Sequence, residues 1–136
     1  MVTAGTGRAA YRGSAWIAGI PRLRLLMHGT TLHGAERVRN ADGTPVTGRP
    51  EPTTYYNFGG PIGDAIAASR AAQGRLGRVA AVGLGTGSLA CHRQDGETWT
   101  FFELDPQVVR IARDPTLFRF LSAGGQDMRS CWEMHG

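Results

Sequence analysis

The chain has 136 residues, enough for one modest core, and its 41% hydrophobic content is that of an ordinary globular protein. Its longest apolar run falls far short of the ~20 residues of a membrane span, and Gly5, Gly7 and Arg8 interrupt the start where a secretory leader would be continuously apolar, so the expected location is the cytoplasm. The formal charge of +4 comes from 15 basic residues, all arginine, scattered from Arg8 to Arg129 without a basic stripe or interleaved aromatics, and nucleic acid is therefore not an expected partner.

Residues 1–22 carry no assignable pattern. Residues 23–26 and 28–33, with Thr30, Thr31 and Leu32, read as extended and half-buried, hence a hairpin or small sheet. On such a strand His28 and His33 would face opposite sides with no third ligand nearby, and Cys91 and Cys131 have no C-x-x-C partner; neither a metal site nor a disulfide is expected. Asn40, Asp42, Gly43, Pro45, Gly48, Pro50 and Pro52 mark a long connection, after which residues 53–58 resume an extended pattern.

Pro61 suits the first turn of a helix, and Ile62, Ala65, Ile66, Ser69 and Ala72 recur at helical spacing until Gly74 stops it. One face of that helix should pack on a sheet. Residues 78–82 form a short apolar strand running into Gly83, and residues 88–92 read as the opening of a helix. Asp95 and Gly96 make a turn, residues 98–104 a strongly β-prone strand, and Asp105-Pro106 an N-cap with proline at the first helical position before Val108, Val109 and Ile111. Asp114-Pro115 repeats the signal for a helix with an apolar face of Leu117, Phe118 and Leu121. The β-α-β-α alternation predicts an α/β fold with a parallel sheet.

The most informative chemistry is Val82-Gly83-Leu84-Gly85-Thr86-Gly87, a strand entering a glycine turn before a helix. Gly83 permits the sharp turn, and at Gly85 and Gly87 a side chain would stand where a ligand lies. The dinucleotide fingerprint is G-x-G-x-x-G; here the third glycine comes one position early, which favours S-adenosyl ligands over NAD. Glu103, twenty positions after Gly83 at the end of the next strand, is placed to accept hydrogen bonds from both ribose hydroxyls of an adenosine. Asp105 reads as a helix cap and not as a second ligand.

Those residues, continued by Ser88-Leu89-Ala90, Phe102-Glu103-Leu104-Asp105-Pro106 and Ala112-Arg113-Asp114-Pro115, resemble the spermidine synthase-like polyamine aminopropyltransferases. Upstream, Met27-His28-Gly29-Thr30-Thr31-Leu32-His33-Gly34, Thr54-Tyr55-Tyr56 and Gly60-Pro61-Ile62-Gly63 resemble the N-terminal β region and following helix of the branch often fused to membrane segments. The resemblance implies a small N-terminal β region (residues 23–58) after an unassigned leader (1–22). A truncated Rossmann-like domain of the class I S-adenosylmethionine-dependent methyltransferase type follows (59–136). It further implies that Gly83, Gly85, Thr86, Gly87 and Glu103 bind the adenosine of decarboxylated S-adenosylmethionine, or of S-adenosylmethionine itself, as co-substrate and not as a tightly held cofactor. The family reaction moves an aminopropyl group to a polyamine such as putrescine, whose ammonium must first lose a proton to a carboxylate.

Tyr55, Tyr56 and His33 are the candidate amine contacts, with packing as the alternative for the tyrosines; the family's Tyr-His pair is here Tyr56-Asn57. The family's catalytic Asp follows its fourth strand, whereas this chain is expected to stop before its third, with no catalytic residue of its own. The tail Ser130-Cys131-Trp132-Glu133-Met134-His135-Gly136 reads as a frameshift. Codons for the family's Ile-Val-Leu-Gly-Asp-Ala-Arg, ATC GTG CTG GGA GAT GCA CGG, spell those residues once the first base is lost. Self-association through uncovered sheet and helix faces is expected to follow. A methyltransferase-like domain and a non-enzymatic interaction module are the rival readings.

Overall fold

The computed structural model describes residues 2–3, 19–123 and 128–131, and among these it places six strands in two three-stranded sheets of a mixed α/β architecture. In the first sheet Val2–Thr3 (β1) pairs parallel with Arg22–His28 (β2), so part of the unassigned leader is a strand. β2 pairs antiparallel with Thr31–Arg39 (β3) across a turn at Gly29 and Thr30. The run expected to be extended through residues 28–33 is thus split by a reversal, which Gly29 permits at φ +58°. His28 and His33 consequently sit on neighbouring strands with ring centroids 5.9 Å apart, not on opposite faces of one strand. Register passes from Leu26 opposite Gly34 to Met27 opposite Leu32, which leaves His33 as the extra residue of a β-bulge.

Residues 53–58, expected to be extended, instead contain a 3-10 turn at Thr54–Tyr56, with Thr54 at φ +59°. A β-branched residue is strained there, and neighbouring bonds hold it: Thr53 Oγ1 donates to the Ala35 carbonyl, and Asn57 Nδ2 donates to the Thr54 carbonyl at 2.7 Å. The helix Pro61–Gln73 (α1) then runs as its sequence predicts, with proline in the first turn and Gly74 ending it at φ +80°.

The second sheet joins Arg78–Val82 (β4), Thr98–Phe102 (β5) and Met128–Cys131 (β6) in the order β4-β5-β6, all parallel. The expectation of only two strands is therefore corrected: a third lies along β5 on the side away from β4. Between β4 and β5 the expected helix is a five-residue 3-10 stretch, Ser88–His92, closed by extended backbone at Arg93. β5 ends at Phe102, two residues short of expectation, because Glu103 and Leu104 lead into the Asp105 cap of Pro106–Arg113 (α2). The cap is as read: Asp105 Oδ1 accepts from Gln107 N at 2.8 Å. Asp114 instead makes a turn with Thr116, and helix resumes only at Phe120–Ala123 (α3). Residues 132–136, which carry most of the proposed frameshifted tail, lie outside the described residues.

Trp99 and Phe101 of β5, Val108, Val109 and Ala112 of α2, and Phe118 and Phe120 form the core, joined by Leu26 of the first sheet. Two buried ion pairs fasten its margins. Glu36 on β3 accepts from Arg119 Nε at 2.6 Å and from Arg119 N at 2.9 Å; Glu97 accepts from Arg70 of α1. Arg24 adds a bond to the Thr116 carbonyl at 2.9 Å and another to that of Leu117. Cys91 is buried, its thiol donating to the Pro50 carbonyl at 3.2 Å, and burial pushes its pKa up to about 12. Among the described residues no helix is long and apolar enough to cross a membrane.

Candidate functional site

β4 delivers the chain into the glycine turn, where Gly83, Gly85 and Gly87 all take positive φ (+87°, +54° and +84°). That backbone explains why three glycines stand so close together. The space beside them is a different matter. A Cβ at Gly85 would lie 2.6 Å from the His33 carbonyl oxygen, and one at Gly87 would lie 2.9 Å from the Leu121 side chain. Protein, not ligand, fills the places the sequence suggests for a ligand: the bulge at His33 aims its carbonyl into the turn, and α3 closes it from the other side. Only at Gly83 is there nothing within 4 Å of an added Cβ. Gly83 is exposed, as are Val82 (92%) and Leu104 (79%), so the open surface lies at the carboxyl ends of β4 and β5.

Glu103 stands at that surface. Its Oε2 accepts from Leu84 N in the turn at 2.9 Å and its Oε1 from Asp105 N at 3.0 Å, while the residue stays partly exposed. The acid and the turn, twenty positions apart, are thus in direct hydrogen-bonded contact. Thr86 is in the turn, but its side chain is buried against Gly34, where an added Cβ would meet Thr86 Oγ1 at 2.5 Å. Neither Thr86 Oγ1 nor Ser88 Oγ has a hydrogen-bond partner among the described residues. An unpaired buried hydroxyl costs about 1–3 kcal/mol, so Thr86→Val is expected to raise stability by about 1 kcal/mol. Guanidinium unfolding measures this, and a lowered midpoint would show that the hydroxyl is satisfied in solution.

Of the three candidate amine contacts, His33 reaches the turn through its carbonyl. The tyrosine pair is anchored indirectly: His92 Nε2, five residues past Gly87, donates to the Tyr56 carbonyl at 2.7 Å. Tyr55 is half exposed, its ring 4.5 Å from that of Tyr56, and burial raises the Tyr56 pKa above its ordinary 10. Sequence reading missed Glu36 and Glu97, whose buried carboxylates hold β3 and α1 in place around the turn. The available signal was an acid set beside apolar residues of a strand, Glu36 next to Ala35 and Glu97 two residues from Trp99.

The fold and site define a small α/β unit with a parallel sheet whose carboxyl edge carries a glycine turn latched to an acid. No family model matches the chain, and no curated protein or solved structure matches it. Among the described residues no group of three or more His, Cys, Asp or Glu side chains could hold a metal ion.

Proposed function

We propose that this chain is a Rossmann-like nucleoside-binding unit of the spermidine synthase-like kind, taking the adenosine of decarboxylated S-adenosylmethionine at the mouth between Gly83 and Glu103. The observation that carries the reading is the latch of Glu103 to Leu84 N at the carboxyl end of a parallel sheet, where α/β sheets take their ligands. A carboxylate offers about four acceptor directions. Two are used internally, and the remaining two suit a pair of ribose hydroxyls. Exposed Val82 and Leu104, with open space at Gly83, give the nucleoside an apolar seat. Tyr55, Tyr56 and the His33 ring are the proposed amine-side groups for a putrescine-like acceptor. The family reaction forms a bond from a neutral amine nitrogen to the carbon beside the sulfonium, with methylthioadenosine leaving.

Titration with methylthioadenosine by calorimetry tests the reading. Glu103→Gln keeps one oxygen for the internal latch but removes the charge, and is expected to weaken binding by about 1.5–3 kcal/mol, the worth of hydrogen bonds to a charged group. Decarboxylated S-adenosylmethionine should bind more tightly than S-adenosylmethionine; the reverse order would favour a methyltransferase-like domain. Absence of binding, or equal affinity of wild type and Glu103→Gln, would remove the ribose role.

A further inference from the structure

β4 is built like an interior strand and placed at an edge. After Arg78, Val-Ala-Ala-Val has the unbroken apolar character of a strand buried on both faces, yet among the described residues β4 pairs only with β5. Apart from the charge of Arg78 at its start, that edge carries none of the protections edge strands normally have, such as proline or a bulge. The Gly83 N–H donates to the Phe102 carbonyl at 2.7 Å, toward β5. Backbone groups alternate sides along a strand, so those of Arg78, Ala80 and Val82 face the open edge. On one face of the strand Ala80 and Val82 are exposed; on the other, Val79 and Ala81 floor an apolar groove of about 480 Å³, walled by Ile62, Ile66, Leu76 and Trp99.

We infer that the occupant of this edge is the same strand of a second copy, paired antiparallel about a two-fold axis at Ala80. Three features of β4 fit itself. The open-edge residues form mutually hydrogen-bonded pairs in that register, Ala80 with the partner's Ala80 and Arg78 with the partner's Val82, each pair exchanging two bonds. The strand's one charge never meets its like: Arg78 lies opposite Val82, the most exposed apolar residue of the strand, where its aliphatic stem covers the valine and its guanidinium reaches water. The small Ala80 side chains at the axis let the backbones approach, and antiparallel pairing about a two-fold uses up the β4 edges of both copies. The result is one six-stranded sheet with the two apolar grooves side by side. This inference shares Val82 with the proposed nucleoside seat, but sedimentation in the absence of nucleoside reads the dimer alone, so its failure and that of the nucleoside reading are distinguishable.

The test is sedimentation equilibrium of the 136-residue chain over a concentration series, with three variants. Wild type should dimerise reversibly. Ala80→Pro removes the central open-edge N–H, a change an edge strand tolerates, and should give a monomer with wild-type circular dichroism. Val82→Glu places a carboxylate opposite the partner's Arg78 and should tighten the dimer, whereas Val82→Arg should weaken it. With two symmetry-related pairs the change is about two- to thirtyfold in Kd in each direction. A monomer at every concentration, a dimer indifferent to Ala80→Pro, or equal affinities of the two Val82 variants overturns the inference. Should Ala80→Pro fail to fold, the opposed Val82 pair decides it alone.

Discussion

Arg70→Ala is expected to lower the stability of the chain by about 3–5 kcal/mol, the cost of stripping one partner from a buried ion pair. Glu97 is the reason. Its side chain is fully buried beside Trp99, and its two oxygens accept from Arg70 Nε and NH2, both at 2.8 Å, from Trp99 Nε1 at 2.9 Å and from Gln94 N at 3.1 Å. Without the guanidinium, a full charge stays in the core with two neutral donors. Against a total of about 5–15 kcal/mol for a domain, that loss leaves much of the protein unfolded or close to it. Acid provides an independent signature. The Arg70 hydrogen bonds hold the Glu97 carboxyl at about 2, below its ordinary 4.5. A lowered folded-state pKa contributes stability that is complete above 4.5 and lost as pH falls toward 2. In Arg70→Ala only the Trp99 and Gln94 hydrogen bonds still oppose burial, so the Glu97 carboxyl is held down less and the variant should gain stability relative to wild type as the pH drops. Denaturant midpoints from pH 7 downward measure both effects; parallel curves for the two proteins would show that Arg70 does not hold the Glu97 charge.

What the sequence reveals about this fold follows from where each signal resides. β4, α1 and the start of α2 are legible because their determinants are local: an apolar run ending in glycine, proline in a first turn, an Asp cap with its N–H two residues away. The glycine turn and Glu103 are legible as a pair because strand length and connection length bring them to the same edge. Failures arise where a distant residue decides. Gly85 is constrained by the His33 carbonyl, and no local pattern announces that a bulge in a hairpin will be aimed there. Glu36 and Glu97 look like surface acids until Arg119 and Arg70 are found beside them, 83 and 27 positions away. Met128–Cys131 has little β-propensity of its own and is a strand because β5 offers it an edge. Thr54 at φ +59° contradicts the β-preference of its own side chain, which is why residues 53–58 read as extended.

The chain as it stands is expected to bind the nucleoside yet show no measurable aminopropyl transfer, and the grounds are the positions of its acids. An alkylamine with a pKa near that of lysine is neutral in only about one molecule in a thousand at pH 7, and a positioned base typically contributes about 10²- to 10⁴-fold. Glu36 and Glu97 are sealed in ion pairs with Arg119 and Arg70. Asp105 is occupied as a cap by Gln107 N. The hydroxyls of Thr44 and Thr116 lower the pKa values of Asp42 and Asp114, which makes each a poorer proton acceptor. Glu103 is latched to Leu84 N and faces the proposed ribose. Glu51, Asp64 and Asp95 are exposed and lie outside the glycine turn, so among the described residues no further carboxylate stands in the turn beside Glu103 to take the amine's proton. Incubation of the purified chain with decarboxylated S-adenosylmethionine and putrescine, followed by mass-spectrometric detection of spermidine and methylthioadenosine, is the measurement. Both products should be absent while methylthioadenosine binding persists. Turnover abolished by Asp105→Asn would instead make the helix cap the base, and turnover abolished by Glu103→Gln with binding retained would move Glu103 from the ribose to the reacting amine.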